Sequence, residues 1–410
     1  MEPPVSAAAP VVIVGGGPAG MVAGLLLARA GVRVTVLEKH KDFLRDFRGD
    51  TVHPSTLELF HEIGLLGELL EEPHAKLDTM TLNLLGGRYT IATMKHLPVA
   101  APFVAMMPQW DLLDFIAGQG RRYPTFDLRM STEATGLTYD AGGRVSGVTL
   151  ASGEALPARL VIAADGRRSV LRAAAELPLD DLGAPMDVLW FRVPVPAGTD
   201  MSEVALGTVD RSGMVVAIPR GDYWQCAQVI EKGGFPAIEA RGIAAFRANV
   251  AALVPGLAAG IDAVRSFDDV KLLAVALDRL TRWSRPGLLA IGDAAHAMSP
   301  IGGVGINLAV QDAVAAANIL AAPLAAGADP DPLLARVQAR RWKPTVRMQA
   351  LQRFAHQRVI EPMLRGEITR VPLAVRLLDR IPLLRRIPGR VLGLGFGRQH
   401  VESPLAKDFS

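Results

Sequence analysis

Gly15, Gly17 and Gly20 form a Gly-x-Gly-x-x-Gly run between a β-branched stretch, Val11–Val14, and an apolar helical stretch over 21–30. Glu38 closes the next strand-like stretch, over 32–37. Such a run serves to bind a diphosphate. The first glycine permits a tight turn, the second lets backbone approach the phosphates, and the third lets helix and strand pack closely. The helix start adds unpaired N–H groups and a partial positive charge. Ala19 belongs to the same turn, and Glu38, followed by Lys39, is placed to meet an adenosine ribose. These residues predict a dinucleotide site without deciding between FAD and NAD.

A second constellation lies far along the chain. Residues 288–296 read Leu-Leu-Ala-Ile-Gly-Asp-Ala-Ala-His, followed by Pro300 and by Gly303, Gly305, Ile306 and Asn307. This is a buried strand pattern with Gly292 and Asp293 at its carboxyl end, then a glycine loop opening an Ala-rich helix. A helix start of that kind stabilises negative charge on a bound group. A third motif, Asp165-Gly166-x-x-Ser169 with Arg172, follows a strand pattern over 160–164. Asp165 is placed either for a cofactor or to cap the helix that begins near Arg168. His53 reads as a helix-start histidine. The eight His and single Cys show no metal-ligand spacing, and no Gly-x-Ser-x-Gly elbow occurs.

The elements that must position these motifs begin with a βαβ unit at the N-terminus. Residues 54–70 read as an amphipathic helix, 103–107 as a strand and 109–118 as a helix opened by Gln109. Strands are expected at 144–150 and 160–164, then a strand-rich block at 186–193, 204–209, 213–218 and 223–230. A buried strand at 288–291 and a helix from about Gly303 follow. Residues 331–365 have helical spacing, and Pro372, Pro382 and Pro388 divide the tail.

Three motifs in this order resemble the class A flavoprotein monooxygenases, the para-hydroxybenzoate hydroxylase type, over roughly residues 10–365. The resemblance implies an α/β fold: a Rossmann-like FAD-binding domain with an inserted β-sheet-rich substrate domain and a helical C-terminal segment. The FAD-binding domain is expected at 1–79, 101–184 and 280–365, the substrate domain at 80–100 and 185–279, and a basic segment at 366–410. By the same resemblance Asp293 holds the ribityl chain and Gln109 contacts that region. Arg48 lies near the pyrophosphate, and the loop from Pro300 and Gly303 brings backbone N–H groups to the flavin. His296 is implied to be structural. Phe191, Met214, Tyr223, Gln225 and Met298 are the expected substrate lining, since strand alternation puts Tyr223 and Gln225 on one face and Trp224 and Cys226 on the other.

The implied reaction uses NADH or NADPH to reduce FAD, then O2, with one oxygen atom passing from a flavin C4a-hydroperoxide to an aromatic or phenolic small molecule. The flavin carries the chemistry, so few acid–base residues are needed. The alternatives are a geranylgeranyl-reductase-type enzyme saturating a lipid alkene, and a non-catalytic binding protein on the same fold.

Composition sets the outer bounds. The chain has 410 residues, half of them hydrophobic, with 40 Gly and 29 Pro, so it is a multi-lobed globular protein and neither a coiled coil nor a disordered chain. One cysteine precludes an intrachain disulfide and suits a cytoplasmic setting. The uncharged run over 3–28 is cut by three glycines and a proline, so it is not read as a membrane span, and no later stretch is expected to be long enough for one. The net charge of +3 hides a split: residues 331–410 carry 16 Lys and Arg against 6 Asp and Glu. The arginines of 331–365 are expected to pair with the acidic body. For 366–410, packing or a homodimer contact comes first, peripheral membrane contact second and nucleic acid last.

Overall fold

Six strands build the sheet that carries the motifs, in the order Ser284–Arg285, Leu288–Ala290, Leu160–Ala163, Val11–Val14, Val34–Leu37 and Phe126–Arg129. The computed structural model describes residues 9–44, 51–196 and 206–406. All pairings except the first are parallel. The inner strands are buried on both faces, which is why they read as unbroken Val, Ile, Leu and Ala. In-register pairing of Val14 with both Leu37 and Ala163, and of Ala163 with Ala290, lines up four carboxyl ends.

Helix Pro18–Arg29 packs against helix Gly305–Ala325 across small side chains. Gly292 stands between them, where a Cβ would lie 2.9 Å from the Ala19 methyl and 3.3 Å from that of Ala309. The segment Ile301–Ala325 is long and apolar enough to cross a membrane, which corrects the expectation that no later stretch is. Its apolar window is 72% buried inside this fold, as a core helix is.

A second sheet has seven strands, in the order Lys271–Leu273, Met186–Pro194, Tyr223–Glu231, Gly213–Pro219, Gly207–Asp210, Thr79–Leu84 and Gly87–Thr93. Its two faces bury different cores. Met186, Val188, Trp190, Ile218, Ala227 and Val229 face inward with Ile360 and Met363. Leu189, Phe191, Val193, Trp224 and Cys226 face outward beneath helix Ile243–Leu253. A separate antiparallel sheet joins Ala134–Tyr139, Val145–Leu150 and Ala155–Pro157.

The helix expected over 54–70 is two, Pro54–Glu62 and Leu66–Leu69, because Gly64 adopts a left-handed φ of +77° between them. Helix Asp331–Ala355 runs through Pro344 and passes into a π-helical turn, His356–Ile360. Helices Leu373–Arg380 and Arg386–Leu394 lie on the hairpin strand Gly87–Thr93. The arginines of 331–365 pair with the acidic body less than their charge suggests. Among the described residues Arg341 reaches Asp312, whereas Arg340 and Arg365 pair within residues 331–410, with Glu402 and Glu361.

Candidate functional site

The motif residues converge at the carboxyl ends of the parallel strands. Gly15 follows Val14, Glu38 follows Leu37, Asp165 follows the strand ending at Ala163, and Gly292 and Asp293 follow the strand ending at Ala290. Chain connections leave Val11–Val14 toward one side and Leu160–Ala163 toward the other, so this edge is a topological switch point, where α/β sheets bind ligands.

The glycines of the first loop have separable causes. Gly15 has φ +110°, and a Cβ there would collide with the Ala164 carbonyl, while a Cβ on Gly20 would collide with the carbonyl of Gly15. Gly17 has an ordinary φ of −77°, and a Cβ on it would meet nothing within 4 Å among the described residues. The protein's own packing therefore leaves Gly17 free to be larger, and the cradle it keeps open fits a diphosphate. Gly17 caps helix Pro18–Arg29 without a side-chain hydrogen bond, and no acid lies in the first turn. Glu38 is buried, its Oε2 accepting from Gly16 N and its Oε1 from His40 N, each at 3.0 Å. Lys39 is exposed beside it, Ala19 is buried against the site of Gly292, and Arg48 lies outside the described residues.

At the second loop, Asp293 is half-buried and its Oδ2 lies 3.4 Å from Nη2 of Arg167. Arg167 was not singled out by sequence reasoning. Its Nε and Nη1 are buried and find no acceptor among the described residues, so the guanidinium has donors to spare for an anionic or carbonyl group. Asp165 accepts from Ser169 Oγ at 2.6 Å and from Leu171 N at 3.2 Å, so it caps the short helix Val170–Ala174. Burial outweighs these hydrogen bonds and raises its pKa.

Helix Gly305–Ala325 starts without a capping side chain or an acid in its first turn. Helix geometry leaves the first-turn N–H groups, those of Gly305, Ile306 and Asn307, without intrahelical partners. The Asn307 side chain is engaged elsewhere: its Oδ1 accepts from Ser55 at 3.0 Å and also from Thr56. Gly303, at φ +63°, is held through its carbonyl by Thr51 Oγ1 at 3.0 Å, and His53 Nε2 lies 3.1 Å from the same oxygen. His53 Nδ1 meets the Leu392 carbonyl at 2.7 Å, and burial is the main reason its pKa falls below 6.5. Strand Thr51–Val52 pairs with Val104–Met106, so Gln109, three residues on, opens its helix beside this loop; Pro300 is half-buried within it.

Behind the loop, His296 is joined by groups that sequence reasoning missed, Asp312 and Arg341 first among them. His296 Nε2 lies 2.6 Å from Asp312 Oδ2, which also accepts from Gly292 N at 3.1 Å, while Arg341 Nε donates to Asp312 Oδ1 at 2.7 Å. All three side chains are buried, as fits a structural His296. Burial opposes ionisation of Asp312, but His296 and Arg341 together outweigh it and hold its pKa below 3.8. Farther along the same helix, Gln349 Nε2 donates to the Asp278 carbonyl at 2.7 Å, and Gln352 Nε2 donates to the Ser299 carbonyl at 2.9 Å. His356 Nε2 meets Ser299 Oγ at 2.9 Å. Residues 341, 345, 349, 352 and 356 are buried polar groups on one face of a helix otherwise rich in exposed charge, and this spacing was the available signal.

Two expected lining residues are corrected. Phe191 points to the outer core, its ring 5.2 Å from Phe246, because alternation along its strand puts Trp190 on the inner face instead. Met298 is buried among Leu277, Val304, Leu308 and Met348, and Ile301 is the loop residue that packs on the inner face. Met214 and Gln225 lie on that inner face, and Tyr223 shares it by alternation, with the Arg192 guanidinium 5.1 Å from its ring centre. Gln225 Nε2 donates to the Phe191 carbonyl at 3.2 Å. Trp190 Nε1 is buried without an acceptor among the described residues.

Residues 8–351 match a family model described as the FAD binding domain. The 6-methylpretetramide 4-monooxygenase of Streptomyces rimosus is 33% identical over 391 residues, covering 93% of this chain and 91% of that protein. The rifampicin monooxygenase of Streptomyces venezuelae is 29% identical over 315 residues, 74% of this chain and 62% of its own length. In fold, the chain is similar to the p-nitrophenol 4-monooxygenase of Pseudomonas putida, with TM-score 0.73 and 22% identity, covering 94% of each chain. With its diphosphate cradle and uncapped second helix meeting at one sheet edge, the chain belongs to this FAD-binding family and is an FAD-dependent flavoprotein monooxygenase of class A.

Proposed function

We propose that this enzyme hydroxylates an electron-rich aromatic or phenolic small molecule held between the inner face of the seven-stranded sheet and the loop 300–303. One observation carries this reading: Trp190, whose buried indole N–H finds no acceptor among the described residues, and Gln225 share the sheet face on which Ile301 of the second glycine loop packs. A planar ring with oxygen substituents fits such a surface, since apolar walls with a few polar groups fix orientation. The relative named for 6-methylpretetramide and the fold neighbour named for p-nitrophenol support the substrate class.

Bound FAD supplies the redox and oxygen chemistry, drawing electrons from NAD(P)H. Gly15, Gly17, Gly20, Glu38 and Lys39 would hold its adenosine diphosphate half, with Gln109, Asp165, Asp293 and Arg167 as further contacts. The N–H groups of Gly305, Ile306 and Asn307 would stabilise negative charge on the flavin, and the sheet domain formed by 80–100 and 185–279 would exclude water from the site. The enzyme acts in the cytoplasm as a monomer or homodimer. The test is oxygen-coupled NAD(P)H oxidation by FAD-loaded protein over a panel of phenols and polycyclic aromatics. Substrate-stimulated consumption with a product heavier by one oxygen atom is expected; NAD(P)H oxidation that yields only saturated alkene overturns the reading.

A further inference from the structure

The two helices of the tail present an outward stripe in which apolar and basic residues alternate: Leu373, Arg376, Leu377, Arg380 and Ile381, then Leu383, Arg386, Ile387 and Arg390. Leu373 is 68% exposed, and Leu383 and Ile387 are each 64% exposed. Their opposite faces are fixed to the substrate sheet. Asp379 accepts from Thr90 N at 2.9 Å, Arg385 O accepts from Thr93 N at 3.2 Å, and Gly389 lies so close to the Thr93 carbonyl that a Cβ would collide with it. Between 368 and 401 Asp379 is the sole acid, so the outward stripe is purely basic and apolar. Beside it an open cleft of ≈ 430 Å³ is lined by Thr93, Lys95, His96, Pro382, Leu383 and Arg386. Burial, and after it the charges of Arg386 and Arg390, hold His96 below 6.5.

We propose that this face docks the enzyme on an anionic phospholipid surface, with the cleft between Lys95 and Arg386 receiving a lipid phosphate. Interfacial helices place Leu and Ile at the headgroup boundary while Arg side chains reach phosphates, and each basic residue at an anionic surface adds attraction. Each exposed Leu or Ile of the stripe has an arginine within four positions, a pattern complementary to an anionic surface. A second copy across a two-fold axis would set this basic stripe against itself.

FAD-loaded full-length enzyme is sedimented with vesicles of phosphatidylcholine alone or with about 30% phosphatidylglycerol, with no loading of substrate. At least fivefold more enzyme is expected to sediment with the anionic vesicles. The pairs Leu383→Ser with Ile387→Ser, and Arg380→Glu with Arg386→Glu, are each expected to cut this threefold or more with FAD content unchanged, while Arg380→Lys with Arg386→Lys retains it. Equal binding to neutral vesicles, or unchanged binding by the Ser and Glu pairs, overturns the proposal. So does full displacement by millimolar glycerol phosphate, which marks a free phosphate ligand, or a mass in vesicle-free buffer that halves in the Ser pair, which marks a second copy.

Discussion

Arg341 donates its Nε–H to Oδ1 of Asp312 at 2.7 Å, with both side chains removed from solvent. The pair ties the long C-terminal helix to the helix that opens at the second glycine loop, and the other oxygen of the same carboxylate fixes Gly292 and His296. Helix Asp331–Ala355 thus fixes the backbone at Gly292 through the helix that follows the second glycine loop.

Removing one partner leaves a buried charge uncompensated. Arg341→Met is expected to lower stability by about 3–5 kcal/mol, measured by urea unfolding of the FAD-free protein at pH 7. Because the folded pKa of Asp312 lies below 3.8, its contribution is complete above that pH and disappears as pH falls through the lower, folded value. The difference between wild type and Asp312→Asn should therefore hold steady from pH 7 to 5 and shrink below 3.8. A difference that grows on acidification would contradict this assignment.

Gly15→Ala and Gly17→Ala should behave oppositely. The first forces a side chain onto a left-handed backbone and into the Ala164 carbonyl, at a cost of at least about 2 kcal/mol, and should lower the Tm of the FAD-free protein. Gly17→Ala meets no atom of the described residues and should leave that Tm unchanged, yet weaken FAD at least about tenfold, near 1.4 kcal/mol. Fluorescence titration with FAD distinguishes the two.

Arg167→Met removes two buried donors that find no acceptor among the described residues. The FAD-free protein should lose under about 1 kcal/mol, since among the described residues the side-chain contact it breaks is the 3.4 Å pair of Nη2 with Asp293, while FAD affinity falls. An unchanged FAD Kd with a large loss of stability would assign Arg167 to the core alone.

On the substrate sheet, Trp190→Phe is expected to raise KM for the aromatic substrate severalfold with little change in Tm. Its strand neighbour Phe191→Ala should cost about 3–5 kcal/mol of stability, because its ring fills the outer core against Phe246. Steady-state kinetics beside thermal melts would show the split, and the reverse pattern would return Phe191 to the lining.

Much of the site was legible because its demands are local. A tight turn needs glycine at 15, close helix packing needs it at 20, and strands buried on both faces read as unbroken β-branched and aliphatic runs. Periodicity along 186–194 established that alternate residues share a face but carried no sign, so it could not say whether Trp190 or Phe191 looks inward. That sign came from Ile243–Leu253, which covers one face of the sheet, and from Ile360 and Met363, which cover the other.

The amino-acid sequence by itself determined the glycine-rich first turn, the acid after the second strand, a helix opening at the second glycine loop and the excess of basic residues in the tail. Tertiary structure alone decided where that charge goes: Arg341 is buried on Asp312, while Arg376, Arg380, Arg386 and Arg390 are turned to solvent between leucines and isoleucines. The reason is physical. A turn or a cap is satisfied by neighbours in the chain, whereas a buried ion pair and an exposed apolar stripe depend on which distant element arrives to cover each face.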